Sequence, residues 1–293
     1  MIKTIKTILV LYKRSAFEVY FAGISKSRLN RLMVGRDVIR FRKAHEEHYK
    51  TLAVVEQVLK RLKVNYHKRA RGQKINYSRY DLVVTVGGDG TFLEAARNVR
   101  RQFVLGVNSD PVWSVGQFCS TNRRHFQSVF KKILKGRCTV QDFSRVRIQV
   151  DGKKKSVNVL NDVLIAHRNP AAMSHYYLSV NGIKEEQRSS GVWIATAAGS
   201  SGAVHSAGGR KLAPESDTIQ YIPRELHQRR VIHKLKGGVV RLKRPLIVQS
   251  LMNEGFVFVD GAHLRFSFPF GSILKITRSP DPLRVIKAKL GKE

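Results

Sequence analysis

The stretch Tyr80-Asp81-Leu82-Val83-Val84-Thr85-Val86-Gly87-Gly88-Asp89-Gly90-Thr91 constrains the fold more than any other part of the chain. The run Leu82 to Val86 lacks polar alternation, which suits a strand buried on both faces of a parallel sheet. Gly87, Gly88 and Gly90 allow a tight turn and let backbone N–H groups approach an anion. Phe92 to Arg97 then reads as the start of a helix. A strand, a glycine turn and a helix N-terminus together make a phosphate site, with Thr91 supplying a hydroxyl. Asp89 is the unusual member, because a carboxylate beside phosphates is repelled unless it holds a metal or takes a proton. The plain alternative is an ordinary βα turn, where Gly and Asp are common.

Alternation of strands and helices extends through the first half. Ile5 to Leu11 predicts a first strand, and from His45 a helix places Leu52, Val55, Val58, Leu59 and Leu62 on one face. Val64 to Tyr66 predicts a short strand, and Phe103 to Val107 another buried one, ending at Asn108. Phe126, Val129, Phe130, Ile133 and Leu134 mark a helix that Gly136 closes. Residues Phe17 to Phe41 are basic and poorly periodic and predict no element. The expectation is a Rossmann-like parallel α/β domain over residues 1–130 that carries the glycine loop.

After Gly136 the texture changes. Val146, Ile148 and Val150 alternate with polar residues, and Asp151-Gly152 and Asn181-Gly182 are hairpin signals. Strands are expected over Val157 to Ala166, Tyr176 to Val180, Val192 to Thr196, Gly238 to Leu242, Leu246 to Ser250, Phe256 to Val259, Leu264 to Phe268 and Ile273 to Ile276. The only helical exception begins near Ser201. This predicts an antiparallel β-rich, sandwich-like domain over residues 131–275, with a tail, 276–293, that returns to the first domain.

At 293 residues the chain can bury two cores. No apolar run is long enough to span a bilayer, and Ile5 to Leu11, followed by Lys13 and Arg14, is too short for a secretory signal; the expected location is cytoplasmic. Cys119 and Cys138 have no second cysteine at metal-ligand spacing, which argues against a disulfide framework or zinc site. No metal-ligand set is predicted. With 54 Lys and Arg against 21 Asp and Glu, the net charge of +33 favours polyanionic partners, including non-specific association with nucleic acid. A small phosphorylated substrate needs only a few of those cations. A generally basic surface explains the charge equally well.

Three places in the second half offer chemistry. Asn161-Asp162 reads as a turn or bulge, or as an amide and a carboxylate for a base edge and a ribose. Thr196 to Gly209 is rich in small residues and hydroxyls, which permit close approach of a ligand and cap helices. Asp260-Gly261 reads as a hairpin turn. The scattered histidines suggest no metal site, and His205 alone lies in one of these segments. The run Lys153 to Lys155 beside a hairpin turn reads as a solvated face.

Taken in order, Gly87-Gly88-Asp89-Gly90-Thr91, Leu105-Gly106-Val107-Asn108, Leu160-Asn161-Asp162, Thr196 to Gly209 and Val259-Asp260-Gly261 resemble the NAD kinase family, over most of the chain from about Asp81 to Val285. The resemblance implies an α/β N-terminal domain, a β-rich C-terminal domain and a nucleotide site between them. It implies transfer of the γ-phosphoryl of ATP, with Mg²⁺ or another divalent metal, to the 2′-hydroxyl of the adenosine ribose of NAD. Asp89 matches the family's catalytic acid, and Gly87, Gly88, Gly90, Thr91 and Asn108 the phosphate and ATP side. Asn161, Asp162, Ser190, Thr196, Ser201 and Ser206 match positions that line the NAD site. A homo-oligomer, dimer or tetramer, is implied as well.

The chain departs from the family pattern at three points. Asp162 stands where Glu is usual, which shortens the carboxylate's reach. The usual Thr-Pro-Thr-Gly-Ser-Thr-Ala-Tyr becomes Thr196 to Ala203, so the Pro, the second Thr and the Tyr are missing. Ser190 replaces a usual acid, and Arg188-Ser189-Ser190-Gly191 resembles the branch that includes the mitochondrial-type animal enzymes and some bacterial relatives. Two other readings stay open at this point. A diacylglycerol-type lipid kinase shares the glycine loop, and its membrane surface would suit a basic protein. A non-catalytic relative that binds nucleotide or nucleic acid would suit the charge and the missing Tyr.

Overall fold

The computed structural model describes residues 5–287, apart from positions 22, 26, 29–30, 32–34 and 229–231. The chain forms two compact units: the first comprises the described residues up to Ala95, Val99–Gln141 and the segment from Arg284; the second comprises Ala96–Asn98 and Asp142–Leu283.

The first unit holds β1 (Thr7–Tyr12), α1 (Ala16–Phe21), α2 (Gly35–Arg61), β2 (Asn65–Ala70), β3 (Leu82–Gly87), α3 (Asp89–Asn98, whose last three residues belong to the second unit), β4 (Phe103–Asn108), β5 (Thr121–Asn122), α4 (Phe126–Leu134) and β6 (Thr139–Phe143). The final strand of the chain, numbered β19 (Leu283–Lys287), joins them. The sheet runs β2-β1-β3-β4-β19-β6, with β5 also on β4, and the pairs β1–β2, β1–β3, β3–β4, β4–β5 and β4–β19 are parallel. Every residue of β3 is buried, as its unalternating sequence requires.

The two faces of this sheet are covered differently. Val55, Val58 and Leu59 of α2 and Phe126, Val129, Phe130 and Ile133 of α4 cluster with Ile8, Val10, Val84, Val86, Leu105 and Val107. On the other face Gly106 lets α3 approach, since a Cβ there would lie 3.1 Å from the Phe92 ring, which stacks on Phe118. The chain goes from β1 outward to β2, then crosses back to place β3 on the other side of β1. The order therefore reverses between β1 and β3, and in open α/β sheets ligands bind at the carboxyl ends of the strands at such a point.

The expected elements are present, with some differences. Helix α2 begins at Gly35, ten residues before His45, and α1 occupies part of the segment that predicted nothing. Helix α3 starts at Asp89 rather than Phe92, because Gly88 is its N-cap. Strands β6 and β19 were not foreseen; both are short and sit at or near the sheet edge. Residues 288–293 of the expected returning tail lie outside the described residues.

The second unit is a sandwich of two six-stranded sheets. Its strands are β7 (Val146–Val150), β8 (Lys153–Val159), β9 (Asp162–His167), β10 (Ser174–Val180), β11 (Ile183–Ser189), β12 (Val192–Thr196), β13 (Thr218–Pro223), β14 (Gly238–Arg241), β15 (Leu246–Ser250), β16 (Gly255–Val259), β17 (Leu264–Ser267) and β18 (Ile273–Arg278), with one helical turn, α5 (Ala203–Ser206), after β12. One sheet runs β11-β10-β15-β18-β7-β8 and the other β14-β13-β12-β9-β16-β17. Their inner faces share one core that includes Ile148, Val163, Ile165, Tyr176, Leu178, Ile194, Val248, Val257 and Leu274. Asp151-Gly152 and Asn181-Gly182 both have positive φ, which fits tight hairpin turns.

One strand expectation is corrected. Val157 to Ala166 is not continuous: β8 lies in one sheet and β9 in the other, and the chain changes sheets at Leu160-Asn161. Side chains as well as backbone hold this crossover, with Thr196 Oγ1 donating to Leu160 O and Asp260 Oδ1 accepting from Asn161 N at 2.7 Å. Strand β13 is a further difference; Pro223 and the absence of clear alternation concealed it.

Candidate active site

In the first unit the glycine loop closes directly onto α3. Gly88 caps the helix with extended backbone and no side-chain cap, so the first N–H groups of α3 remain available to an anion. A Cβ on Gly87 would lie 2.4 Å from Thr91 Oγ1, and one on Gly88 2.6 Å from Ser114 Oγ. Thr91 itself is buried beneath the loop and its Oγ1 has no partner among the described residues.

Asp89 opens the helix, half-buried, and its two carboxylate oxygens each accept one backbone amide, Phe118 N at 2.9 Å and Gln117 N at 3.1 Å. A carboxylate has about four acceptor positions, so lone pairs remain for a substrate hydroxyl. Asn108 shapes the facing loop: its Nδ2 donates to Ser114 O at 2.9 Å and its Oδ1 accepts from Asp110 N at 3.1 Å. Burial, and then Asp89, push the neighbouring Cys119 thiol up to about 12, so it is not a nucleophile at neutral pH.

Charged residues that the motif does not include gather at the same edge. Lys13 follows β1, Arg71 follows β2 and Asp110 follows β4. Arg71 Nε lies 3.6 Å from Glu94 Oε2 on α3, and Glu94 Oε1 accepts from Gly72 N at 2.7 Å. His48 of α2 is fully buried, with Nδ1 3.0 Å from Ser109 Oγ, and burial together with Lys13 lowers its pKa to about 4, so it is neutral. Only long-range strand pairing brings these residues together, which a local reading of the sequence does not reveal.

In the second unit Asn161, Asp162, Thr196 and Asp260 converge. Asn161 Nδ2 donates to Asp162 Oδ2 at 2.7 Å, and Thr196 N donates to Asn161 O at 3.0 Å. Gly199 permits this approach, since a Cβ there would lie 2.1 Å from Asn161 O. Asp260, in the hairpin between β16 and β17, accepts from Asn161 N and, at 3.3 Å, from Asp162 N. Arg97 Nη1 lies 3.9 Å from Asp260 Oδ2. The turn reading of Asp260-Gly261 is therefore correct and incomplete: the turn holds a buried carboxylate that fixes the crossover.

The remaining expected residues are less tightly grouped. Ser201 is half-buried and Ser206 exposed, on either side of the start of α5, and Ala203 puts no polar group there. His205 Nδ1 lies 2.9 Å from Gly209 O, a contact within its own turn. Ser190 precedes β12 and Thr196 ends it, so within this unit Ser190 sits at the opposite end of the strand from Asn161. Its N–H donates to Arg224 O at 2.9 Å.

Desolvation, and then the nearby Asp260 charge, raise the Asp162 pKa to about 7. Because the folded value exceeds the unfolded one near 4, the stability that this group contributes is full below about pH 4 and is lost as pH rises through 7. The corresponding loss is at most about 4 kcal/mol, and Asp260, also raised by burial, acts with the same sign. We expect Asp162→Asn to flatten the decline in unfolding free energy between pH 5 and 8. An unchanged slope in denaturant titrations would show that Asp162 is not its source.

A glycine loop at a topological switch point, with a carboxylate at the head of the following helix, is the arrangement a nucleotide-dependent phosphotransferase requires. The sequence matches the ATP-NAD kinase N-terminal domain over residues 6–138 and the ATP-NAD kinase C-terminal domain over residues 160–288. The chain belongs to the NAD kinase family. Among its relatives, a probable NADH kinase of Oryza sativa subsp. japonica is 31% identical over 263 residues, covering 82% of this chain and 81% of that protein. The NADH kinase of Arabidopsis thaliana is 29% identical over 271 residues, covering 81% and 83%. In fold, the chain matches a crystal structure of an NAD kinase from Archaeoglobus fulgidus in complex with ATP, with TM-score 0.70, 24% identity and coverage of 97% and 94%. The match across both halves is to NAD kinase domains and favours neither the lipid-kinase reading nor a non-catalytic relative.

Proposed function

We propose that the chain transfers the γ-phosphoryl of ATP to the 2′-hydroxyl of the adenosine ribose of NAD, giving NADP and ADP. The observation that carries this reading is the placement of Asp89, at the head of α3 beside the glycine loop, in a chain of this family. Phosphoryl transfer asks mainly for alignment and charge neutralisation. The ribose oxygen attacks the γ-phosphorus, its proton passes to an Asp89 carboxylate oxygen, and the bond to the β-phosphate oxygen breaks with its electrons leaving on ADP. A ribose hydroxyl is a poor acid and a carboxylate a weak base, so the proton moves late and orientation of the hydroxyl is much of the role of Asp89.

The N–H groups of Gly88, Asp89 and Gly90 and the loop shaped by Asn108 are assigned to the donor's phosphates. Asn161, Asp162, Thr196, Ser201 and Ser206 are assigned to the dinucleotide, and Ser190 by family position only. Magnesium is usually held by one or two carboxylates plus substrate phosphates. Among the described residues no group of three potential ligands clusters, so a magnesium ion would arrive with ATP, held chiefly by its phosphates, and would offset their charge.

The test is NADP formation from ATP, Mg²⁺ and NAD; no product above an Asp89→Asn control would overturn the reading. The two plant relatives named NADH kinases support a second acceptor, so NADH belongs in the same assay.

Three expectations about the setting are carried as proposals. Among the described residues no helix is long and apolar enough to cross a membrane, and a cytoplasmic location is proposed with that. A dimer or tetramer is proposed, to be read by light scattering. Non-specific nucleic-acid association is supported by a basic concavity of about 540 Å³ lined by Lys131, Lys132, Lys135, Arg137 and Lys287; affinity for DNA should fall steeply with salt.

A further inference from the structure

We propose that Lys13 and Arg71 form a cation clamp that grips the terminal phosphates of the nucleotide donor from the β1 side of the glycine loop. The inference rests on the phosphotransferase reading and names two residues that no motif supplies.

The register puts the clamp in place. Tyr12 pairs with Ala70 on one side and with Val86 on the other. The next residue along each strand is Arg71, Lys13 and Gly87, so Lys13 sits between the arginine and the loop, and Arg71 N donates to Tyr12 O at 2.8 Å to continue the row. Lys13 follows the last residue of β1, where it faces His48 of α2 and lies near Asp110 and Arg71. The Arg71 guanidinium reaches the first turn of α3: its Nη1 lies 3.3 Å from where a Cβ of Gly90 would be.

Lys13 and Arg71 stand among three carboxylates, Asp89, Asp110 and Glu94, so an anion is held here by direct contacts with the cations and N–H groups rather than by net charge. Arg71 has a partner in Glu94. Lys13 is half-buried and makes no ion pair among the described residues. Burial lowers its pKa, Asp110 raises it and Arg71 lowers it. His48 faces Lys13 but is neutral, and Asp89 is engaged by two amides. Two cations next to a helix N-terminus with exposed N–H groups make a site for a phosphate chain rather than for a nucleoside, with lysine acting as a point charge and arginine as a fork.

The test compares wild type with Lys13→Met, Lys13→Arg and Arg71→Gln, each shown by circular dichroism and thermal melting to be folded. Calorimetric affinities for ATP and AMP are measured with steady-state KM values for ATP and NAD. For Lys13→Met, ATP affinity is expected to fall about ten- to a hundredfold, the usual weight of a hydrogen bond to a charged group. AMP affinity and KM for NAD should change less than twofold, because AMP lacks the gripped phosphates. Lys13→Arg should recover most of the loss, and Arg71→Gln should behave as a weaker Lys13→Met.

Unchanged ATP affinity in both charge-removing variants, or an equal loss for AMP, overturns the clamp. A wild-type protein that binds no ATP overturns clamp and function together. One that binds ATP through Lys13 yet phosphorylates neither dinucleotide overturns only the acceptor assignment.

Discussion

Replacing Asp89 by Asn is expected to lower kcat by about a hundredfold or more, the usual cost of removing a general base. That loss corresponds to about 2.7 kcal/mol of transition-state stabilisation. The variant keeps the size of the side chain and removes the charge and the proton acceptor. It also turns one oxygen that accepts an amide, from Gln117 or Phe118, into an N–H donor facing another N–H. The loop that contains Asn108 and Ser114 can therefore shift, and a change in KM for ATP would report that shift separately. A fall in kcat that exceeds any rise in KM assigns the loss to the chemical step. If kcat stayed within tenfold of wild type while the protein remained folded, Asp89 would not be the base. Asp89→Glu is expected to recover little, because an extra methylene moves the carboxylate away from the two amides that aim it.

Why Asp89 could be singled out in the sequence while Lys13 could not is a matter of range. Gly87 to Thr91 is a local device, in which strand, turn and helix N-terminus follow each other and each residue type has a local reason. The role of Lys13 depends on β1 pairing with both β2 and β3, contacts about 60 to 75 residues away along the chain. Nothing near Tyr12 announces that pairing. Helix α2 illustrates the same limit in reverse: Leu52, Val55, Val58 and Leu59 are legible because they face the core, whereas the turns before His45 are basic and poorly periodic, with Val38 buried beside an exposed Ile39. The β-rich unit was legible wherever strands alternate, as in β7 and β10. It was misread at Leu160-Asn161, where the backbone bonds to Thr196 and Asp260, residues that lie 36 to 100 positions further on.

Asp260 is where the largest loss of stability is expected. Its side chain is fully buried. It accepts from Asn161 N at 2.7 Å and Asp162 N at 3.3 Å, and it faces the Arg97 guanidinium at 3.9 Å. Asp260→Ala would strand those amides and an arginine that is only 10% exposed. Breaking a buried pair by removing one partner costs about 3–5 kcal/mol. The backbone adds to this, since residue 260 has φ of 47°, a region that Asp tolerates better than Ala. Asp260→Asn keeps the shape and one acceptor and should lose less, about 1–3 kcal/mol. Urea titration with an unchanged slope would confirm that stability rather than compactness has changed. The two-residue cycle with Arg97→Met is the sharper test. Once Asp260 is gone, the stranded guanidinium is itself a liability, so Arg97→Met should cost less in the Asp260→Ala background than alone. A coupling of at least about 1 kcal/mol is expected. Strictly additive losses would mean that Arg97 depends on some other group, and that the hairpin carboxylate holds the Asn161-Asp162 crossover through its amide bonds alone.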